Sequence, residues 1–121
     1  MTFELPRKAS ITVPATDEAQ ASLVALLGPN ADYLLPLYRI TDGIESVIRG
    51  GEIHLQLWPI GEFASHREHQ LIIGSDSEAA DVVIATSAEP AMVELWCAFG
   101  GGKIETLCPL PEFLRWMQEV P

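Results

Sequence analysis

Ile53-His54-Leu55-Gln56-Leu57-Trp58-Pro59 is the stretch on which the fold turns. Ile53, Leu55 and Leu57 alternate with His54 and Gln56, a period of two that puts apolar side chains on one face of a strand and polar ones on the other. Pro59 closes it, because proline has no N–H to give to a ladder. Downstream, Leu71-Ile72-Ile73 and Val82-Val83-Ile84 are short aliphatic runs bounded by turn residues, the pattern of central strands buried on both faces. Met92 to Phe99 reads as a further strand, and Gly100-Gly101-Gly102 as a loop permitting positive φ before Ile104–Leu107 returns.

Upstream of that stretch the period is helical. Thr16 before Asp17-Glu18 reads as an N-cap followed by acids that oppose the helix dipole, and Ala19, Leu23, Leu26 and Leu27 fall at helical spacing. Gly28-Pro29 supplies the stop, so a helix is predicted over residues 16–28. A second, from about Ala31 to Thr41, carries Leu34, Leu37, Tyr38 and Thr41 on one stripe; Pro36 inside it predicts a kink or a late start, and Asp42-Gly43 the end. At the other terminus, Pro111 opens a helix over 110–119 that buries Phe113, Leu114 and Met117, with Trp116 nearby. The order helix, helix, strands, helix makes the chain a single α+β domain: a mainly antiparallel sheet of four to six strands between residues 50 and 107, packed by N-terminal helices and one C-terminal helix.

With 121 residues the chain has the length of one domain, and 48% hydrophobic against 20% charged residues is a globular balance. Seven Lys and Arg against 17 Asp and Glu give a net charge of −10, which repels phosphate backbones and anionic membranes and suits a basic partner. Met1 to Thr16 has no apolar h-region, and Leu71–Ile73 and Val82–Ala85 are too short to span a bilayer, so the expectation is a soluble cytoplasmic chain. Cys97 and Cys108 lack a CxxC spacing and read as free, mostly buried thiols, able to bridge only if they sit on neighbouring elements.

No stretch assembles a catalytic constellation. The glycine run before Lys103 fails as a phosphate loop, since Cys97 takes the first glycine position and Ile104 stands where Mg²⁺ needs a hydroxyl. His66 and His69 have His-x-x-His spacing, but zinc wants three or four converging ligands, and Arg67 beside them repels a cation. Asp76, Glu78 and Asp81 form an acidic turn without the central glycine of a calcium loop, where Ala79-Ala80 stand instead. Ser75 follows Gly74 outside any Gly-x-Ser-x-Gly elbow, and Cys97 and Cys108 lie among Trp96, Phe99 and Leu107, apolar settings that leave thiols inert. The residues read as a binding module and not as an enzyme, with no metal and no cofactor.

Several segments taken in order resemble the SUKH superfamily, which includes bacterial toxin-immunity proteins and fungal cell-wall-assembly regulators. They are Leu37-Tyr38-Arg39-Ile40-Thr41-Asp42-Gly43, Leu57-Trp58-Pro59-Ile60-Gly61-Glu62-Phe63, Ile72-Ile73-Gly74-Ser75-Asp76 with Val82-Val83-Ile84, and Pro111-Glu112-Phe113-Leu114, which together cover about residues 16–118. Ser77-Glu78-Ala79-Ala80 stands where the family usually has glycines, and Thr86 or Ser87 where an Asp is common. The resemblance implies an α+β domain that binds other proteins without a catalytic centre, most often an immunity protein against a toxin, many such toxins being nucleases with basic clefts. The net charge agrees with such a partner. Trp58 and Tyr38 flank the loops that carry Asp42, Glu45 and Glu62, which makes them the candidate anchors; Asp76 and Glu78 complete the set of loop carboxylates expected to steer the partner. The alternatives are a regulatory or ligand-binding domain of a larger assembly, and a hydrolase using His66, His69 and the acids of Asp76–Asp81.

Overall fold

The computed structural model describes residues 13–48, 53–76, 80–98 and 101–118. Thr16 is extended (φ −66°, ψ 160°), and its Oγ1 accepts the Ala19 N–H at 3.1 Å, capping α1 (Asp17–Leu27) as its sequence requires. A single 3-10 turn over Gly28–Asn30 leads into α2 (Ala31–Tyr38), which starts neither late nor at Pro36 but carries that proline inside. The carbonyl that Pro36 leaves without its helical donor is that of Asp32, an exposed residue whose backbone water can reach. The helix ends four residues before Asp42: the N–H groups of Ile40 and Thr41 both turn back to the Leu37 carbonyl, at 2.9 and 3.0 Å. Gly43, expected to stop α2, instead opens the first strand with a φ of 112°.

Seven strands follow among the described residues: β1 (Ile44–Ile48), β2 (Ile53–Leu57), β3 (Ala64–Ser65), β4 (Gln70–Asp76), β5 (Ala80–Ala85), β6 (Met92–Cys97) and β7 (Lys103–Pro109). Six lie in the order β1-β2-β4-β5-β6-β7, the two-residue β3 pairs with β4 beside the end of β2, and every pairing is antiparallel. The fold is α+β, two N-terminal helices, an antiparallel sheet and a C-terminal helix. β1 has no expectation behind it: Ser46 interrupts the Ile44–Ile48 row, so its period of two is blurred.

The register explains which face is buried. Leu71, Ile84, Val93 and Cys108 are cross-strand neighbours on β4 to β7, and all four belong to the core that also holds Leu23, Leu34, Leu37 and Tyr38 from the helices. The next row, Ile72, Val83, Glu94 and Thr106, points the other way. α3 (Leu110–Gln118) leaves β7 directly and packs across β6 to reach β1 at the opposite edge. Nine helical residues span only about 13.5 Å, whereas six flat strands would span about 24 Å, so the sheet curls around this helix. Leu110, Phe113, Leu114 and Met117 are its buried stripe. No helix among the described residues is long and apolar enough to cross a membrane.

β7 meets β6 with two register shifts: Trp96 faces Lys103, Leu95 faces Glu105, Glu94 faces Thr106 and Val93 faces Cys108, leaving Ile104 and Leu107 as bulge residues. The β6–β7 hairpin closes with the Cys97 N–H donating to the Gly102 carbonyl at 2.9 Å, and what Gly101 supplies is room, since a Cβ there would lie 2.3 Å from that of Cys97. Phe99 and Gly100 lie outside the described residues. Cys108 is buried as expected, but Cys97 is exposed at the strand end.

Two residues fix how neighbouring elements meet. Asn30, 2% exposed, donates through Nδ2 to the Ala88 carbonyl at 3.0 Å and accepts the Ala91 N–H on Oδ1 at 2.8 Å, clamping the β5–β6 connection to the start of α2. At Gly74 the backbones of β2 and β4 come so close that a Cβ would sit 2.1 Å from the Gln56 carbonyl oxygen. Asn30→Ala strands the buried Ala91 N–H and is expected to cost about 2 kcal/mol in urea unfolding. Gly74→Ala forces β2 and β4 apart and is expected to cost about 3 kcal/mol or more, with near-unchanged stability as the result that refutes the close approach.

Candidate functional site

Tyr38 does not present itself to a partner. Its position on the Leu34–Leu37 stripe of α2 carries it fully into the core, where its ring meets Phe63 edge-on at 5.8 Å and its hydroxyl donates to the Trp58 carbonyl at 2.6 Å. Burial pushes the Tyr38 hydroxyl well above its ordinary value of 10.0, and the Asp42 charge adds to the shift. The expected anchor is therefore a core joint, because a helical stripe that holds Leu34 and Leu37 has no room for one member to face outward.

Trp58 is half-buried and tied on three sides: its N–H donates to the Ile73 carbonyl at 2.9 Å, its carbonyl takes the Tyr38 hydroxyl, and its indole Nε1–H donates to Ser75 Oγ at 3.3 Å. That last bond gives Ser75 a structural task. Asp42 is likewise engaged, its Oδ1 accepting the Ile60 N–H at 3.0 Å and its own N–H donating to the Val13 carbonyl at 2.9 Å. Through these bonds the segment before α1, the α2–β1 loop and the 60–62 turn meet at one corner, which holds Asp42 and the exposed Glu62.

The remaining carboxylates do not join them. Ile44 faces Leu57, which faces Gly74, so Asp42 lies two residues beyond that level and Asp76 two residues short of it. Four strand steps make about 13 Å along the sheet, so Asp76 belongs to the far end, where its Oδ1 accepts the Ala80 N–H at 2.8 Å and closes the β4–β5 hairpin. The expected single acidic surface is thus divided. Glu45 stands on β1 opposite Gln56, its side chain outside the described set, and Glu78 lies outside the described residues altogether.

The outer face of the sheet carries a polar cluster that the sequence reading passed over. Glu94 on β6 is 9% exposed; its Oε1 accepts the Trp96 indole N–H at 3.0 Å and the Gln70 amide at 3.3 Å, and Lys103 Nζ stands 3.7 Å from its Oε2. The Gln70–Glu94 bond bridges β4 to β6 across β5, above the fully buried Val83. His66 and Arg67 belong to the β3–β4 turn that folds onto this face. The His66 ring lies 4.8 Å from that of Trp96 with its Nδ1 at 2.9 Å from Gln70 Oε1, and the Arg67 guanidinium lies 4.7 Å over the Trp96 ring. His69, at φ 58°, instead sits 3.5 Å from Glu68. Among the described residues no group of three His, Cys, Asp or Glu side chains could hold a metal ion. The signal for this cluster is Glu94 itself, an acid in the otherwise apolar run Met92-Val93-Glu94-Leu95-Trp96.

No family model, no curated protein and no solved structure matches this chain.

The Tyr38 shift has a definite sign in stability. A hydroxyl whose folded value is raised contributes stability that is complete below the unfolded value of about 10 and is lost as pH rises above it. The urea midpoint is expected to fall more steeply above pH ~10 in the native chain than in Tyr38→Phe, and the variant to lose about 1 kcal/mol at neutral pH. Parallel alkaline profiles would contradict the assignment.

Proposed function

We infer that this chain is a non-catalytic protein-binding module whose partner is a basic protein, and specifically an immunity protein that neutralises a bacterial toxin through an electrostatically steered complex. The observation that carries the reading is how the charges are distributed. Of the cations among the described residues, Arg67 is stacked on Trp96, Lys103 is paired with Glu94 and Arg115 with Glu112 at 3.5 Å, so three of the four, Arg39 apart, are engaged within the chain. Asp17, Glu18, Asp32, Glu62 and Glu89 are exposed, on a chain whose net charge is −10. Such a surface raises the encounter rate with a basic cleft and rejects acidic partners.

The nucleophile and metal candidates support a non-catalytic role by what occupies them. Ser75 Oγ accepts the Trp58 indole, His66 is packed against Trp96, and Asp76 closes its own hairpin. The immunity assignment, the finer half of the reading, is supported by the ordered segments that resemble the SUKH superfamily, Leu37–Gly43, Leu57–Phe63, Ile72–Asp76 and Pro111–Leu114. The corner holding Asp42 and Glu62, with the exposed Asp17 and Glu18 of the first turn of α1, is the acidic surface assigned to the partner in place of the divided set.

The test is binding to the product of the neighbouring open reading frame, followed by surface plasmon resonance. Between ~0.1 and ~1 M salt the Debye length falls from ~10 to ~3 Å, and the association rate should drop by about tenfold or more. Glu18→Lys with Glu62→Lys should slow association to a similar degree while changing stability by no more than about 1 kcal/mol. Failure to form a complex, or an association rate indifferent to salt and to both reversals, refutes the reading.

A further inference from the structure

Arg67 and Lys103 both converge on one small area of the outer sheet face, although the described residues hold only four Lys and Arg in all. The area consists of an indole and a carboxylate joined by their own hydrogen bond, Trp96 Nε1–H to Glu94 Oε1 at 3.0 Å. An aromatic face beside a fixed carboxylate is a pairing suited to a guanidinium, the ring attracting the delocalised cation and the carboxylate its N–H groups. Here each half already has a cation from the same chain: Arg67 lies 4.7 Å over the ring, and Lys103 Nζ is 3.7 Å from Glu94 Oε2.

The groups of this area differ in how firmly they are held. Trp96 and Glu94 are 7% and 9% exposed, fixed on a central strand and by each other, with Gln70 on the carboxylate and His66 against the ring. Arg67 is exposed and sits in a turn between strands. The turn keeps its shape through backbone bonds, Gln70 N–H to the Arg67 carbonyl and Thr86 N–H to the His69 carbonyl at 2.9 and 2.7 Å, neither of which uses the Arg67 side chain. Swinging that side chain away therefore uncovers the ring without moving the backbone.

We propose that Trp96 and Glu94 form an arginine-recognition site on the outer face of the sheet, and that Arg67 is its internal occupant, displaced when a basic partner inserts an arginine of its own. The proposal rests on the basic-partner reading and adds where one side chain of that partner is received. It also accounts for a buried carboxylate and a cation-stacked tryptophan on the face away from the core, where α1 to α3 do not pack. The site competes with its own lid residue, so the chain discriminates a well-placed arginine from general positive charge.

The probe is a short glycine-flanked peptide with one arginine, and the same peptide with citrulline, which keeps the shape and loses the charge. Binding is read from the indole N–H resonance of Trp96 in ¹H–¹⁵N spectra, that resonance being identified by its loss in Trp96→Phe. Removing the competitor in Arg67→Ala should tighten arginine-peptide binding about fivefold, the factor that corresponds to a cation–π contact of about 1 kcal/mol. Citrulline peptide should not shift the resonance, and adding Glu94→Gln to Arg67→Ala should reverse the gain. Equal affinity in the native chain and Arg67→Ala overturns the proposal, as does equal binding of citrulline. An arginine peptide held equally well with and without Glu94 overturns the site but leaves the acidic-surface reading standing. A peptide effect that survives while partner association proves indifferent to salt does the reverse.

Discussion

The contact between β2 and β4 at Gly74 is the constraint on which the rest of the molecule depends. Among the described residues three pairs, Leu55 with Asp76, Gln56 with Ser75 and Leu57 with Gly74, join β2 to β4, and the Trp58 N–H to the Ile73 carbonyl continues them. At the last pair the Gln56 carbonyl fills the volume a side chain would need. The same stretch of β4 shifts register against β5 between Ile72 and Gly74, so the strand bends where it is most tightly paired. That bend brings Ile73 and Ser75 to Trp58, and Trp58 in turn receives the Tyr38 hydroxyl. The helical layer is therefore set against the sheet through a chain of bonds that begins at one glycine.

What could be read in the sequence was what local period determines. β2, β4 and β5 announce themselves by alternation or by uninterrupted aliphatic runs, α1 by its cap and α3 by Pro111 with its apolar stripe. β1 and β3 escape, the first because Ser46 breaks its row and the second because two residues carry no period. Asp42 and Asp76 are both acids in loops on paper. Only strand register separates them, and register is a property of pairs of segments that neither segment contains.

The candidate site follows the same division. Tyr38 could have been placed inside from its own stripe, since a residue sharing a helical face with Leu34 and Leu37 shares their burial. The Glu94 cluster could not have been assembled, because Gln70, Glu94 and Lys103 come from three strands and His66 and Arg67 from a turn that folds over them. One fragment was visible, the acid inside an apolar strand. A carboxylate placed there needs partners, and the partners arrive only with the topology.

The two bulges of β7 bear on how copies of this chain coexist at high concentration. β7 is the last strand on its side, and Ile104 on it is 53% exposed, a combination that in a straight strand would template another. Fibrous cross-β stacking requires an unbroken ladder of amide groups at even spacing. Here the spacing is offset at Ile104 and again at Leu107, and Pro109 ends the strand without a donor, so an incoming strand in step with one part of the edge is out of step with the next. The edge can thus leave an isoleucine in water without inviting end-to-end growth of the sheet.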